Sequence, residues 1–182
     1  MKRAKELTNI LRTYGIQNES VLNAFETIPR EKFVDPENEP SAYENIPLPI
    51  GHEQTISQPY IIALMTQALL EHQPMDRVLE VGTGSGYQAA ILSRCVPMVY
   101  TIERIKSLHH LAQTRFQELG LTNIDAHYGD GNQGWEEHAP FDGILITAAP
   151  ERIPPALLKQ LEPNGGRMII PVGEAHNQRL MA

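Results

Sequence analysis

The sequence predicts an α/β domain in which a mostly parallel sheet carries helices on both faces. From residue 60 onwards, five short apolar segments typical of buried strands alternate with segments of helical length. A length of 182 residues suits one such domain. The predicted strands are Arg77–Val81, Val99–Glu103, Ile124–Tyr128, Phe141–Thr147 and Arg167–Val172, and the predicted helices are Tyr60–His72, Tyr87–Cys95, Ile105–Leu119 and Pro154–Leu161.

A helical extension precedes this alternating region. Apolar residues recur at helical spacing around Leu7 and again around Leu22, and a proline-rich segment, 35–59, follows them. A loop of that length inside a compact domain is usually functional or disordered. We therefore treat 1–182 as one domain, with N-terminal helices and a substrate loop in 1–58 and a cofactor-binding core in 59–182.

Composition and charge disfavour several classes of binding partner and cofactor. The net charge is −7 and no run of Lys or Arg occurs, which argues against a nucleic-acid partner. No apolar run reaches 18 residues and the N-terminus lacks a signal-peptide pattern, so we expect no membrane association and a cytoplasmic location. Cys95 is the single cysteine, and its apolar neighbours predict a buried, unreactive thiol. The histidines show no metal-ligand spacing, so we expect no metal.

The segment "VLEVGTGSGY", 78–87, runs from a predicted strand into three glycines. Gly82, Gly84 and Gly86 permit positive φ angles and close approach of a ligand, and the following helix presents free N–H groups. A dinucleotide or S-adenosylmethionine fits such a loop. The spacing is G-x-G-x-G, with Tyr87 where the dinucleotide pattern G-x-G-x-x-G has its last glycine. The spacing therefore disfavours a nicotinamide-dependent oxidoreductase.

One acidic residue lies in or directly after each of the first three predicted strands. Glu80 lies within the first strand, where it can orient the loop or meet a cofactor ammonium through water. Glu103 ends the second strand and can accept ribose hydroxyls in either cofactor class. Asp130 follows the third strand in "YGDGNQGW" and can accept from an adenine amine. Each acid alone is more often a cap or turn former, but together they favour an S-adenosylmethionine site.

The segment "PLPIGHEQTISQP", 47–59, is the second informative stretch. Its prolines stiffen the chain, and Gly51 permits a tight bend. Thr55 and Ser57 offer hydroxyls to a substrate. Ser57 is also a plausible N-cap of the next helix, and that role is compatible with substrate contact.

These motifs resemble the bacterial type of protein-L-isoaspartate O-methyltransferase. "LPIG" followed by "QTISQP", and later "TAAP" followed by "IP", carry the resemblance, which extends from about residue 3 to the last residue. It implies a Rossmann-like class I methyltransferase fold and S-adenosyl-L-methionine as cofactor, with S-adenosyl-L-homocysteine as product. The implied enzyme methylates the free α-carboxyl of L-isoaspartyl residues in damaged proteins and peptides. The ester then cyclises unaided to a succinimide that can reopen to aspartate, which constitutes protein repair. We expect a monomer.

The resemblance also implies roles for individual residues. Ser57 matches the active-site serine of the family. The residues that match cofactor positions are Gln54, Thr55, Ile56, Glu80, Gly82, Thr83, Gly84, Glu103, Asp130 and Gly131. The residues that match positions at the substrate, or at the rim nearest the reacting methyl, are Ile50, Thr55, Ser57, Thr147, Ala148 and Ala149.

One departure from the family leaves an alternative open. Family members continue for about 25 residues beyond "PVGE", adding an antiparallel strand pair, whereas this sequence ends at Ala182. We therefore expect the C-terminal antiparallel edge to be missing or truncated. The alternatives are a weakly active or inactive S-adenosylmethionine-binding protein, or a methyltransferase for another substrate. The motifs typical of nucleic-acid methyltransferases are absent, since residues 147–150 read Thr-Ala-Ala-Pro and Cys95 follows Arg94 rather than proline.

Overall fold

A computed structural model describes residues 2–71, 73–147, 153–172 and 179–181. In that part of the chain a six-stranded sheet forms the centre, and a two-stranded hairpin lies apart from it. The helices are α1 (Lys2–Thr13), α2 (Glu19–Thr27), α3 (Pro59–Leu69), α4 (Tyr87–Leu92), α5 (Lys106–Glu118) and α6 (Pro155–Gln160), and the strands are β1 (Leu48–Pro49), β2 (Thr55–Ile56), β3 (Arg77–Val81), β4 (Met98–Glu103), β5 (Ile124–Tyr128), β6 (Gly143–Ile146), β7 (Arg167–Val172) and β8 (Arg179–Met181).

The strand order of the central sheet is β5-β4-β3-β6-β7-β8. All neighbouring strands are parallel except β7 and β8, which are antiparallel. The chain moves outward from β3 through β4 to β5 and then returns to the other side of β3 as β6. This switch point lies at the carboxyl end of β3, where open α/β sheets bind ligands.

Alternate strand residues belong to two hydrophobic clusters, as expected for a sheet covered on both faces. Val78 and Val99 belong to the cluster that includes the buried faces of α1 to α5. Leu79 and Ile144 belong to the other cluster, which includes Leu157 of α6. The predicted α/β fold with helices on both faces is confirmed, and the N-terminal helices share one core with the sheet.

The element boundaries follow the sequence pattern closely, with small differences. The predicted bounds of β3, β5 and β7 are those observed, and β4 gains Met98. The predicted strand Phe141–Thr147 shortens to Gly143–Ile146, because Phe141 forms an isolated bridge with Leu161. The helices end earlier than predicted; α4 stops at Leu92, where the Ser93 hydroxyl donates to the Ala90 carbonyl at 2.7 Å.

The C-terminal edge, expected to be missing or truncated, contains one short antiparallel strand. β8 pairs with β7 in a register that sets Met181 opposite Ile170. This strand covers the edge that β7 would otherwise present.

The proline-rich segment contains local structure that the sequence did not predict. Pro36–Ser41 forms a 3₁₀ helix, and β1 and β2 form a hairpin. At its turn, Gly51 has φ 82°, and His52 and Glu53 adopt left-handed backbone angles of 54° and 57°. No helix within the described residues is long and apolar enough to cross a membrane.

Candidate functional site

A cavity of about 320 Å³ opens at the carboxyl ends of the central strands, beneath the β1–β2 hairpin. This volume lies at the lower end of the range for small-molecule sites. The cavity brings together most residues predicted for the site. They are Gln54, Thr55, Ile56, Ser57, Glu80, Gly82, Thr83, Gly84, Glu103, Asp130, Gly131 and Thr147.

Two of the predicted substrate contacts stand apart from that set. Ile50 does not line the cavity, but its Cδ1 lies 3.5 Å from the position that a Cβ on Gly84 would occupy. The hairpin therefore packs directly over the glycine loop. Ala148 and its neighbour Ala149 lie outside the described residues.

The glycine loop needs its glycines for two different reasons. Gly82, Gly84 and Gly86 all have positive φ, at 98°, 52° and 89°. At Gly86 space is also limiting, because a Cβ there would lie 2.8 Å from the ring of Phe116. The loop is therefore held against α5, with its backbone exposed to the cavity.

Glu103 fixes the glycine loop from the neighbouring strand. Its carboxylate accepts from the N–H of Gly84 at 2.8 Å through Oε2 and from the N–H of Ile105 at 2.9 Å through Oε1. Each oxygen retains a lone pair, since a carboxylate offers about four acceptor positions. Glu103 can thus organise the loop and still accept from a ligand hydroxyl.

Glu80 is fully buried at the floor of the cavity. Its Oε2 accepts from the Thr101 hydroxyl at 2.6 Å, and Thr101 is in turn 2.6 Å from the hydroxyl of Thr83 in the glycine loop. Burial raises the pKa of Glu80 to about 8, the charge of Glu103 adds to the rise and the Thr101 hydrogen bond opposes it. Oε1 has no partner among the described residues. A buried carboxyl oxygen without a partner suits a ligand that brings a cationic donor, because the ligand's charge would favour the ionised form of Glu80.

Asp130 lies at the opposite wall, after β5. Its Oδ1 accepts from both the backbone N–H and the side-chain amide of Asn132, each at 3.0 Å. A side chain at Gly131 would force a shift, because its Cβ would overlap Cγ1 of Val81. Gln160 of α6 fastens the same loop by accepting from the N–H of Trp135 and donating to the Gln133 carbonyl.

Ser57 follows the hairpin and lies half-buried at the cavity wall. It is not the N-cap of α3: that position belongs to Gln58, whose own side chain makes no capping hydrogen bond. Oδ1 of Asn45 accepts instead from the N–H of Tyr60 in the first turn, at 2.9 Å. The Ser57 hydroxyl has no hydrogen-bond partner within the described part of the chain, so it is available to a ligand. Its carbonyl accepts from Arg30 at 2.8 Å.

Thr147 has a different role at the rim. Its hydroxyl donates to the carbonyls of Val81 and Gly82, at 3.0 and 2.7 Å. The hydroxyl proton is therefore engaged in holding β3 and β6 together.

Several residues that line the cavity were not predicted from the sequence. Gln88, in the first turn of α4, donates to the Thr66 hydroxyl at 2.9 Å and faces the cavity. Outside the cavity lining, His52 of the hairpin turn lies 2.8 Å from the Ser107 hydroxyl on α5, which joins the hairpin to that helix. The other missed wall residues include Ile62, Met65, Arg104, Ile105, Asn132 and Leu157. Gln88, Arg104 and Asn132 had a signal, since each directly follows residues assigned to the cofactor in the sequence.

Comparison with known proteins agrees with this geometry. The profile of the protein-L-isoaspartate(D-aspartate) O-methyltransferase (PCMT) family matches residues 2–182. A protein-L-isoaspartate O-methyltransferase from Halorhodospira halophila is 55% identical over 175 residues, covering 96% of this chain and 79% of that protein.

Solved structures give the same result. A protein-L-isoaspartate O-methyltransferase structure superposes with a TM-score of 0.84 at 33% identity over 97% of this chain, which spans 57% of that longer chain. A Plasmodium falciparum PCMT structure, solved in complex with S-adenosyl-L-homocysteine, has a TM-score of 0.82 at 27% identity, with 97% and 87% of the two chains covered. The precorrin-6Y C5,15-methyltransferase of Geobacter metallireducens, at 16% identity and a TM-score of 0.55, shares the fold alone. The chain belongs to the protein-L-isoaspartate(D-aspartate) O-methyltransferase family.

Proposed function

We propose that this chain transfers a methyl group from S-adenosyl-L-methionine to the free α-carboxyl of L-isoaspartyl residues in proteins and peptides. Family membership and the name of the 55% identical relative support this activity. The observation that carries it is the shared cavity, in which the glycine loop and its acids face Ser57 and the hairpin. A cofactor site and a site for a second molecule therefore adjoin.

The residues around the cavity fit the proposed cofactor. The unpartnered Oε1 of Glu80 suits its ammonium, Glu103 its ribose hydroxyls and Asp130 its adenine amine. The bound cofactor supplies an activated methyl group on a sulfonium, and S-adenosyl-L-homocysteine remains after transfer. The co-crystallised product in the Plasmodium falciparum structure supports this choice of ligand.

The proposed substrate does not have to be deprotonated by the enzyme. A carboxyl group with a pKa near ~4 is already ionised at neutral pH, so no general base is required. The protein's task is to hold the carboxylate and exclude water around it. Such positioning can supply roughly 7–11 kcal/mol of the barrier. We assign the Ser57 hydroxyl, which is free among the described residues, to this task, with Thr55 beside it on the cavity wall.

A pair of isomeric peptides tests the proposed function. Tritiated-methyl transfer from S-adenosyl-L-methionine is measured on an isoaspartyl peptide and on its aspartyl isomer. Base-labile methyl ester on the isoaspartyl peptide alone is the expected result. Cofactor binding without transfer would instead favour the inactive alternative, and transfer to both isomers would favour another substrate. A monomeric state and a cytoplasmic location stay predictions from the sequence.

A further inference from the structure

We propose that Arg30 is a positioning residue for Ser57, and that it acts as one end of an arginine–aromatic stack that ties the hairpin to the glycine loop. The stack consists of Arg30, Tyr87, Phe33 and Arg115. The inference rests on the proposed function, because Ser57 is taken there as the residue that meets the substrate.

Arg30 lies behind the hairpin, away from solvent. Its side chain is 0% exposed, and its Nη2 donates to the Ser57 carbonyl at 2.8 Å. The guanidinium carbon lies 4.7 Å from the centre of the Tyr87 ring. Nε and Nη1 have no hydrogen-bond partner among the described residues, and burial lowers the pKa of the guanidinium.

Packing alone does not explain a charge at this position. A guanidinium taken out of water is costly unless an acid pairs with it, and no ion pair of Arg30 occurs within the described ranges. An apolar side chain of similar length would fill the space beside Tyr87 without that cost. Besides its contact with the face of the Tyr87 ring, the guanidinium offers a hydrogen-bond donor to the Ser57 carbonyl, which an apolar side chain would lack. Because a peptide unit is planar, fixing this carbonyl also fixes the direction of the Gln58 N–H that follows it.

The stack continues to the second loop of the site. The Tyr87 ring meets the Phe33 ring edge-on with centres 5.3 Å apart. Arg115 of α5 lies over Phe33 at 5.9 Å, and its Nη1 donates to the Ser85 carbonyl at 2.9 Å. Two buried guanidiniums therefore bracket two aromatic rings, and each holds one backbone carbonyl. Arg30 serves the substrate side and Arg115 the cofactor side.

This symmetry supplies a matched control. Arg30→Met and Arg115→Met each remove a buried guanidinium that packs on an aromatic ring, so their effects on unfolding should be similar. Their functional effects should differ. Arg30→Met should lower kcat/KM for an isoaspartyl peptide about tenfold or more, the size for one hydrogen bond from a charged donor, with the Kd for S-adenosyl-L-homocysteine nearly unchanged. Arg115→Met should weaken S-adenosyl-L-homocysteine binding by a similar factor.

Two conservative variants, Arg30→Lys and Arg115→Lys, test the same proposal if a methionine variant does not fold. Arg30→Lys retains one charged donor and should recover part of the lost kcat/KM. Hydrogen exchange of the backbone amides in 47–59 should be faster in Arg30→Lys than in wild type, and unchanged in Arg115→Lys. This exchange readout remains valid even if the wild type fails to methylate the isoaspartyl peptide, so the two proposals fail separately. Wild-type kcat/KM in a folded Arg30→Met variant, or parallel losses of kcat/KM and cofactor affinity in both methionine variants, would overturn the positioning role. Exchange in 47–59 that changes equally in Arg30→Lys and Arg115→Lys would overturn it as well.

Discussion

The backbone N–H of Gly84 donates to Oε2 of Glu103 at 2.8 Å, and this bond joins the glycine loop to the end of the neighbouring strand. The other carboxylate oxygen accepts from Ile105, at the start of α5. One side chain thus sets the spacing of two cavity walls. The conformation of the cofactor loop therefore depends on a residue that sequence reasoning assigned only to the ligand.

Replacing this carboxylate should affect both the loop and the ligand. Glu103→Gln keeps one acceptor oxygen but places an NH₂ group against a backbone donor. A hydrogen bond to a charged group contributes about 1.5–3 kcal/mol, so we expect the affinity for S-adenosyl-L-homocysteine to fall about tenfold or more. Calorimetric titration measures this change. Glu137→Gln, which alters the same charge at an exposed position, should bind like wild type; equal affinity in both variants would count against the role of Glu103.

Glu80 should make stability depend on pH. Burial raises its pKa to about 8 from an ordinary value of 4.5, so the folded state keeps a proton that the unfolded chain releases. Between those values folding takes up a proton, and the free energy of unfolding should fall as pH rises, by at most about 1.4 kcal/mol per pH unit. The sign is opposite to that of a carboxylate held in an ion pair.

The variant Glu80→Gln isolates this contribution, because an amide does not titrate. Urea unfolding of both proteins at about pH 5.5 and about pH 7.5 gives the comparison. The wild type should lose stability relative to Glu80→Gln as the pH rises. If the difference between the two proteins stays constant across this range, Glu80 is not held protonated by its surroundings.

Asp130 allows the ligand contact to be separated from the fold. Asn caps turns about as well as Asp, so Asp130→Asn should change the free energy of unfolding by less than about 0.5 kcal/mol. The variant should nevertheless bind S-adenosyl-L-homocysteine about tenfold more weakly, because a carboxylate acceptor becomes an ambivalent amide. S-inosylhomocysteine, which lacks the exocyclic amine, should bind both proteins equally. A loss of the same size with both ligands would show that Asp130 does not contact that amine.

The sequence predicted the sheet, and a set of residues that the structure brings together at one cavity, because both depend on local signals. Strand segments such as Arg77–Val81 are short and rich in apolar residues, and glycines that adopt positive φ can be recognised from their spacing. The hairpin was missed because β1 and β2 have two residues each, which is too short for a periodic pattern. Arg30 was missed for another reason: nothing in "PREKF" shows that its guanidinium is buried against Tyr87, 57 positions later. Contacts between distant segments leave no trace in one sequence.

Under the proposed function, the segment that contains the β1–β2 hairpin would contact both the cofactor and the substrate. Ile50 packs over Gly84 on the cofactor side, while Ser57 presents a free hydroxyl within the described part of the cavity. The central claim is that Ser57 acts on the peptide carboxylate and not on the cofactor.

The most direct measurement of this claim is kcat/KM of Ser57→Ala for an isoaspartyl peptide, taken together with its Kd for S-adenosyl-L-homocysteine. Ser20→Ala, at an exposed position on α2, serves as the control. We predict that Ser57→Ala lowers kcat/KM at least about tenfold, the effect of losing one well-placed donor, and leaves the Kd nearly unchanged. Unchanged kcat/KM, or a large loss of cofactor affinity, would contradict the assignment of Ser57 to the substrate.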